Sequence, residues 1–423
     1  MTPEVKERIE QIRHGNVPEG YERHECGIVP IDWNVKPLSA IIQNELRAVP
    51  KPSEPYWRVG VRSWAKGTFR AFVEDPSTVD MEELYVVREN DLVVNITFAW
   101  EQAIALAQKV DDGLLVSHRF PTYVFINGNV SSFYKAIVSQ KRFKYLLELI
   151  SPGGAGRNRV MDRKAFLKLS VPVPELQEQR KIAEVLEAQE RTIELKEKLL
   201  AEKQCQKKYL MQQILTGKKR LPGFEGEWQN CRLHQIAKRI RGKNTVGNEN
   251  VLTISAQYGL INQSEFFNKE IASEDKSNYY LLNRNDFAYN KSYSSGYPFG
   301  AIKRLTRYDM GIVSPLYICF EIVGENVSLE YMEQYFEAGL MNREIQAFAQ
   351  EGARNHGLLN IAVDDFFNSK IVLPSFEEQQ AIAEILSAAD REIELLRQDL
   401  EQEKQKKKAL MQLLLTGIVR VKP

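Results

Sequence analysis

The sequence predicts an α+β protein, built from two pseudo-repeated mixed α/β domains joined by two long antiparallel coiled-coil helices. The first observation behind this is an internal copy. Residues 174–221 recur at 374–421 without a gap, identical at about 22 of the 48 positions. The second is punctuation. Pro174 precedes a run free of Pro and Gly that Gly217 ends, and Pro374 and Gly417 bracket the second run in the same way. Each run is long enough for a helix of about 42 residues, or about 60 Å at 1.5 Å per residue. The third is a weaker echo outside the helices, described below.

The long runs carry apolar residues at coiled-coil spacing. They are Ile182, Leu186, Ile193, Leu200, Leu210 and Ile214 in the first, and Ile382, Leu386, Ala389, Ile393, Leu396, Leu400, Leu410 and Leu414 in the second. Polar positions such as Lys207 and Lys407 interrupt both seams, and the ordinary reading of Lys406–Lys408 is a solvated helix face. So narrow a stripe needs a partner, and the other copy is the nearest one. An antiparallel return would hold two modules about 60 Å apart.

Between the helices the modules share landmarks. Trp33 corresponds to Trp228, each followed shortly by Leu. NDLVVN at 90–95 matches NDFAYN at 285–290, an Asn-Asp turn leading into a strand-like run. GLLVSHRFPTYVF at 113–125 parallels MGIVSPLYICF at 310–320, and GAGRNR at 154–159 resembles GARNHG at 352–357. The landmarks divide the chain into 1–173, 174–221, 222–373 and 374–423. Gln11-Ile12-Arg13-His14-Gly15 echoes Gln213-Ile214-Leu215-Thr216-Gly217, so the N-terminal segment reads as the last turn of a helix that could dock beside the end of the second long helix.

Composition narrows the class. A chain of 423 residues exceeds one ordinary core, and 43% hydrophobic with 27% charged residues is typical of globular proteins with some coiled coil. No apolar run approaches the roughly 20 residues of a membrane span, and the charged N-terminus is no signal peptide, so cytoplasm is the expected location. Cys26, Cys205, Cys231 and Cys319 and the five histidines are too dispersed for a disulfide framework or a metal site. The net charge of +1 conceals basic clusters at Lys218–Arg220 and at Lys238, Arg239, Arg241 and Lys243. There is no phosphate-binding GxxxxGK[ST], nucleophile elbow, HExxH or Asn/Asp-Pro-Pro-aromatic motif. Asp162, Asp364 and Asp365 read as turn and cap residues. No catalytic residues are expected.

Two variable modules, each trailed by a helix with a PxxxEQxxIAxxL start and an LMQxxLTG stop, resemble the specificity subunit of type I restriction-modification systems. The resemblance spans essentially the whole chain. It implies that each module is a target recognition domain and each long helix a conserved spacer. The partners it implies are double-stranded DNA with a bipartite asymmetric site, two copies of a DNA adenine methyltransferase subunit, and an endonuclease/translocase subunit. It implies no cofactor on this chain, with S-adenosylmethionine on the methyltransferase. Residues able to reach base edges sit in matching places in the two modules. One set is Asn95 and Thr97, matched by Lys291, Ser292 and Tyr293. The other is Arg157, Asn158 and Arg159, matched by Arg354, Asn355 and His356. A coiled-coil adaptor that binds proteins rather than DNA also explains the helices, but not the matched Arg/Asn-rich loops. A self-contained nuclease lacks the carboxylate cluster it would need.

Overall fold

The computed structural model describes residues 2–153, 159–255, 258–266, 275–293, 296–351 and 359–421. They form two compact units, Met1–Lys196 with Asp399–Pro423, and Glu197–Gln398. The long helices run Leu176–Ile214 and Phe376–Leu415, and each contributes one half to each unit.

Within each unit the two helix halves run antiparallel. In unit 1, Lys196 pairs with Asp399 at 2.6 Å, Glu190 with Lys407 at 3.1 Å, and Gln189 Nε2 donates to Glu403 Oε2 at 2.6 Å. In unit 2, Lys203 pairs with Glu392 and Lys207 with Asp390, at 2.6 and 2.5 Å. The polar positions expected to interrupt the seam therefore bridge it. Lys207 and Lys407 are half-buried partners of the opposite helix, not members of a solvated face. Two lysines also hold the Glu190 carboxyl below its ordinary range, although burial alone would raise it. Both helices end on a left-handed glycine, Gly217 at φ +70° and Gly417 at φ +65°. The turn closes through Lys219 N–H to Gln213 O and Val419 N–H to Leu413 O.

Each unit places a four-stranded antiparallel sheet beside these helices, in the same strand order. Unit 1 uses Ile104–Leu106, Leu92–Val94, Thr122–Phe125 and Ile42–Asn44; unit 2 uses Ala301–Arg304, Phe287–Asn290, Ile318–Ile322 and Ala237–Arg239. One central strand of each sheet, Leu92–Val94 or Phe287–Asn290, follows an Asn-Asp turn. Asn90 and Asn285 take the left-handed backbone that Asn tolerates, at φ 69° and 79°. Asp91 and Asp286 then accept the N–H of Arg88 and Asn283, at 2.8 and 2.6 Å. A short strand pair pins each module to its following helix, Asn34–Pro37 with Ser170–Val173 and Gln229–Arg232 with Lys370–Leu373.

The cores join sheet and helices. Phe133, Tyr123 and Phe166 enclose Ile182, Leu186, Leu414 and Leu415 in unit 1. Phe287, Phe320 and Phe366 do the same for Ile382, Leu386, Ile214 and Leu215 in unit 2. At about 1.5–3 kcal/mol per fully buried large apolar side chain, this packing rather than helix propensity holds the long helices. The expected N-terminal helix is Pro3–Arg13, capped by Thr2, and Arg8 and the following Tyr21 donate to the carbonyls of Ile418 and Gly417.

The units diverge away from this frame. Unit 1 adds a five-stranded sheet of Ala48–Pro50, Glu83–Val86, Leu115–Val116, Tyr56–Val61 and Thr68–Val73. In unit 2 the corresponding stretch holds two separate pairs, Leu252–Ser255 with Gly259–Asn262 and Tyr280–Asn283 with Met310–Val313.

Candidate nucleic-acid interface

A second Asn, just past the strand in unit 1 and at its last position in unit 2, shapes a loop. Asn95 Oδ1 accepts the N–H of Thr97 at 3.1 Å, and Asn290 Oδ1 accepts the N–H of Ser292 at 3.1 Å. Asn95 is buried, so its amide serves the turn, while Thr97 is half-buried and the neighbouring Phe98 exposed. In unit 2 Lys291 and Ser292 are half-buried and Tyr293 is 64% exposed. Burial lowers the Lys291 pKa.

The segments that follow positions 154–158 and 352–358 in sequence meet these loops. Met161 N–H donates to Ile96 O at 2.9 Å, and Leu359 N–H to Lys291 O at 3.1 Å. Each acceptor is the residue immediately after the turn-forming Asn. Met161 and Leu359, about 65 residues further along the chain, thus hold the loop after the turn-forming Asn in each unit. Arg159 is partly engaged in the fold. Its Nε donates to Ser151 O at 3.0 Å and its Nη2 to Glu148 O at 3.1 Å, over the Trp100 ring. This satisfies carbonyls at the end of helix Lys141–Leu149. Arg157, Asn158, Arg354, Asn355 and His356 lie outside the described residues. Asp162 caps helix Arg163–Lys168 by accepting the N–H of Lys164 and Ala165.

A second arrangement went unread in the sequence. In unit 1, Glu178 accepts the indole N–H of Trp33 at 3.0 Å and two guanidinium bonds from Arg420, at 2.7 and 2.9 Å. In unit 2, Glu378 accepts Trp228 at 3.1 Å and Arg220 at 2.8 and 2.7 Å. Each arginine also lies 5.6 Å from its tryptophan ring centroid. The adjacent glutamines repeat as well. Gln179 accepts the N–H of Val130 and Gln379 that of Ser328, and each donates to the carbonyl of Pro174 or Pro374. The EQ pair thus fastens the start of one helix to its module and to the chain leaving the other helix. Arg220, which the sequence places in a basic cluster, is consumed here, and Lys243 donates to Asn278 O beside the Tyr280 ring. The signal that could have found the clamp is the recurrence of Trp, Glu and Arg at equivalent positions in both halves.

The profile of the type I restriction modification DNA specificity domain matches residues 30–202 and 225–404, and the chain belongs to that family. The type I restriction enzyme MjaVIII specificity subunit of Methanocaldococcus jannaschii is 27% identical over 299 residues, 62% of this chain and 65% of that protein. The chain thus spans a little under two thirds of that relative. Two solved structures share the fold. One is the type I restriction-modification S subunit of M. genitalium, with TM-score 0.53 and 11% identity, covering 91% of this chain and 96% of that one. The other comes from a study of complex assembly and conformational transition in the type I R-M system, with TM-score 0.55 and 17% identity, covering 92% and 99%. Among the described residues no helix is long and apolar enough to cross a membrane.

Proposed function

We propose that this chain is the DNA-recognition subunit of a type I restriction-modification complex and that each unit recognises one half of a bipartite asymmetric site in double-stranded DNA. The observation that carries this reading is a frame built twice with different inserts. Strand order, Asn-centred loops and helix clamps recur in both units, while the remaining strands differ. A repeated frame offers one kind of partner the same seat twice, and differing inserts offer DNA two different surfaces.

On this reading the repeated helices seat two copies of a DNA adenine methyltransferase subunit in the cytoplasm, and an endonuclease/translocase subunit completes the restriction complex. S-adenosylmethionine is held by the methyltransferase, and this chain carries out no catalysis. The test is co-purification with the candidate methyltransferase, with mass measured by light scattering and methyl transfer followed from labelled S-adenosylmethionine. A complex of two methyltransferases per chain, active on DNA only when assembled, supports the proposal. Methyl transfer or cleavage by this chain alone overturns it.

A further inference from the structure

Unit 1 carries a surface that the shared frame does not explain. Strands Tyr56–Val61 and Thr68–Val73 form an antiparallel ribbon at the edge of the five-stranded sheet. Residues 56–73 contain Arg58, Arg62, Lys66 and Arg70 and no acidic residue. Arg62 is occupied, donating to Thr68 O at 2.5 Å with its guanidinium 5.4 Å from the Phe69 ring. Arg58, Lys66 and Arg70 are exposed, and their side chains make no ion pair or hydrogen bond with any described residue.

Large rings stand among these cations. Trp57 is 50% exposed, Trp64 59%, Phe69 40% and Phe72 48%. Trp57 and Phe72 face each other across the ribbon, with centroids 5.0 Å apart. The register puts Arg70 on their face of the ribbon, and Arg58 with Phe69 on the other. Charges alone suffice to guard a sheet edge against unwanted pairing, whereas exposed tryptophan and phenylalanine work against that end. Free cations interleaved with flat apolar rings suit a polyanion whose interior offers apolar base and sugar surface. A two-stranded ribbon also has the width of the DNA major groove. Its turn is braced on the candidate loop: Trp64 and Ala65 N–H donate to the carbonyls of Glu101 and Gln102, and Ser63 Oγ to Glu101 Oε2 at 2.6 Å.

We propose that the 56–73 ribbon is the element of unit 1 that enters a groove of duplex DNA. Arg58 and Arg70 contact phosphates there, and the Trp57–Phe72 pair lies on apolar sugar or thymine-methyl surface. This rests on the reading that unit 1 recognises DNA. It also makes the two units read their half-sites with different elements, because the strand pair Leu252–Ser255 and Gly259–Asn262 of unit 2 has no lysine or arginine.

The test measures binding of the full chain, assembled with its methyltransferase, to a labelled target duplex and to a scrambled duplex across a salt series. Arg58→Ala/Arg70→Ala should weaken target binding about tenfold or more and flatten the log K against log salt slope by about two. Its unfolding temperature and methyltransferase recovery should stay unchanged. Arg58→Lys/Arg70→Lys should keep the slope, and Trp57→Ala/Phe72→Ala should weaken binding without changing it. Wild-type affinity and slope in both alanine pairs overturn the ribbon assignment alone. Loss of methyltransferase recovery with DNA binding intact overturns it too, making the ribbon a protein-docking surface. A wild-type complex that binds neither duplex overturns the ribbon and the DNA-recognition reading together.

Discussion

Replacing Glu178 by Gln keeps the side-chain shape and an acceptor for the Trp33 indole, but removes the charge that Arg420 grips with two bonds. Glu178 is 5% exposed, while the Arg420 side chain is 29% exposed and also holds Asp32 at 2.8 and 2.9 Å. Losing one partner of a buried pair costs about 3–5 kcal/mol. Retained Asp32 contacts and rehydration of the part-exposed guanidinium should bring this to about 2–3 kcal/mol, near that of one hydrogen bond to a charged group. At about 2–4 °C per kcal/mol for a unit of this size, the melting point should fall about 5–10 °C. A double-mutant cycle with Arg420→Gln should give a coupling of at least about 1 kcal/mol. Hydrogen exchange should speed up in 28–37 and 170–186 and leave 228–239 unchanged, and Glu378→Gln should show the converse pattern. Coupling under about 0.5 kcal/mol, the ordinary error of additivity, would refute the clamp. So would equal loosening of both units by either variant.

Other consequences are separable. Burial pushes the Asp286 carboxyl up to about 6, so ionisation is disfavoured in the folded state and stability falls as pH rises from about 4 to about 6. Asp286→Asn should remove that fall and gain on the order of 2 kcal/mol at neutral pH, read by denaturant melts of unit 2 across the range. Asp32 runs the other way: Arg420 holds its pKa below the ordinary value, so its contribution is present above the usual carboxylate range and is lost as acid protonates it. Asp32→Asn should therefore cost unit 1 stability at neutral pH and nothing in strong acid. Tyr293→Ala, at a 64% exposed position, should relax recognition of one half-site and leave melting unchanged. A few residues inserted mid-helix in Leu176–Ile214 should change the number of unspecified bases between half-sites while keeping both, and altered half-sites would count against a spacer role.

The long helices were legible because heptad spacing, a Pro start and a Gly stop are local signals, and an ungapped duplication states them twice. The Asn-Asp turns were legible for the same reason. The clamps were not, since Trp33, Glu178 and Arg420 meet across 145 and 242 residues of sequence. Lys207 and Lys407 looked like flaws in a seam because periodicity does not say which acid stands opposite on the other helix. The candidate loops could be placed by repetition, but not the fact that the Asn95 amide would turn inward to make the bend. The 56–73 ribbon escaped notice because it has no counterpart in the other half to flag it. Its signal was a run of alternating rings and cations without an acid.

The central claim is that two like-framed units read two different half-sites for a shared methyltransferase. Its most direct test is co-expression of this chain with that methyltransferase, followed by single-molecule methylome sequencing of the host. The account predicts one new asymmetric motif in two parts, with adenine methylated in each part and a fixed number of unspecified bases between them. A stable complex that leaves no new methylation, or a motif in a single continuous part, would contradict it.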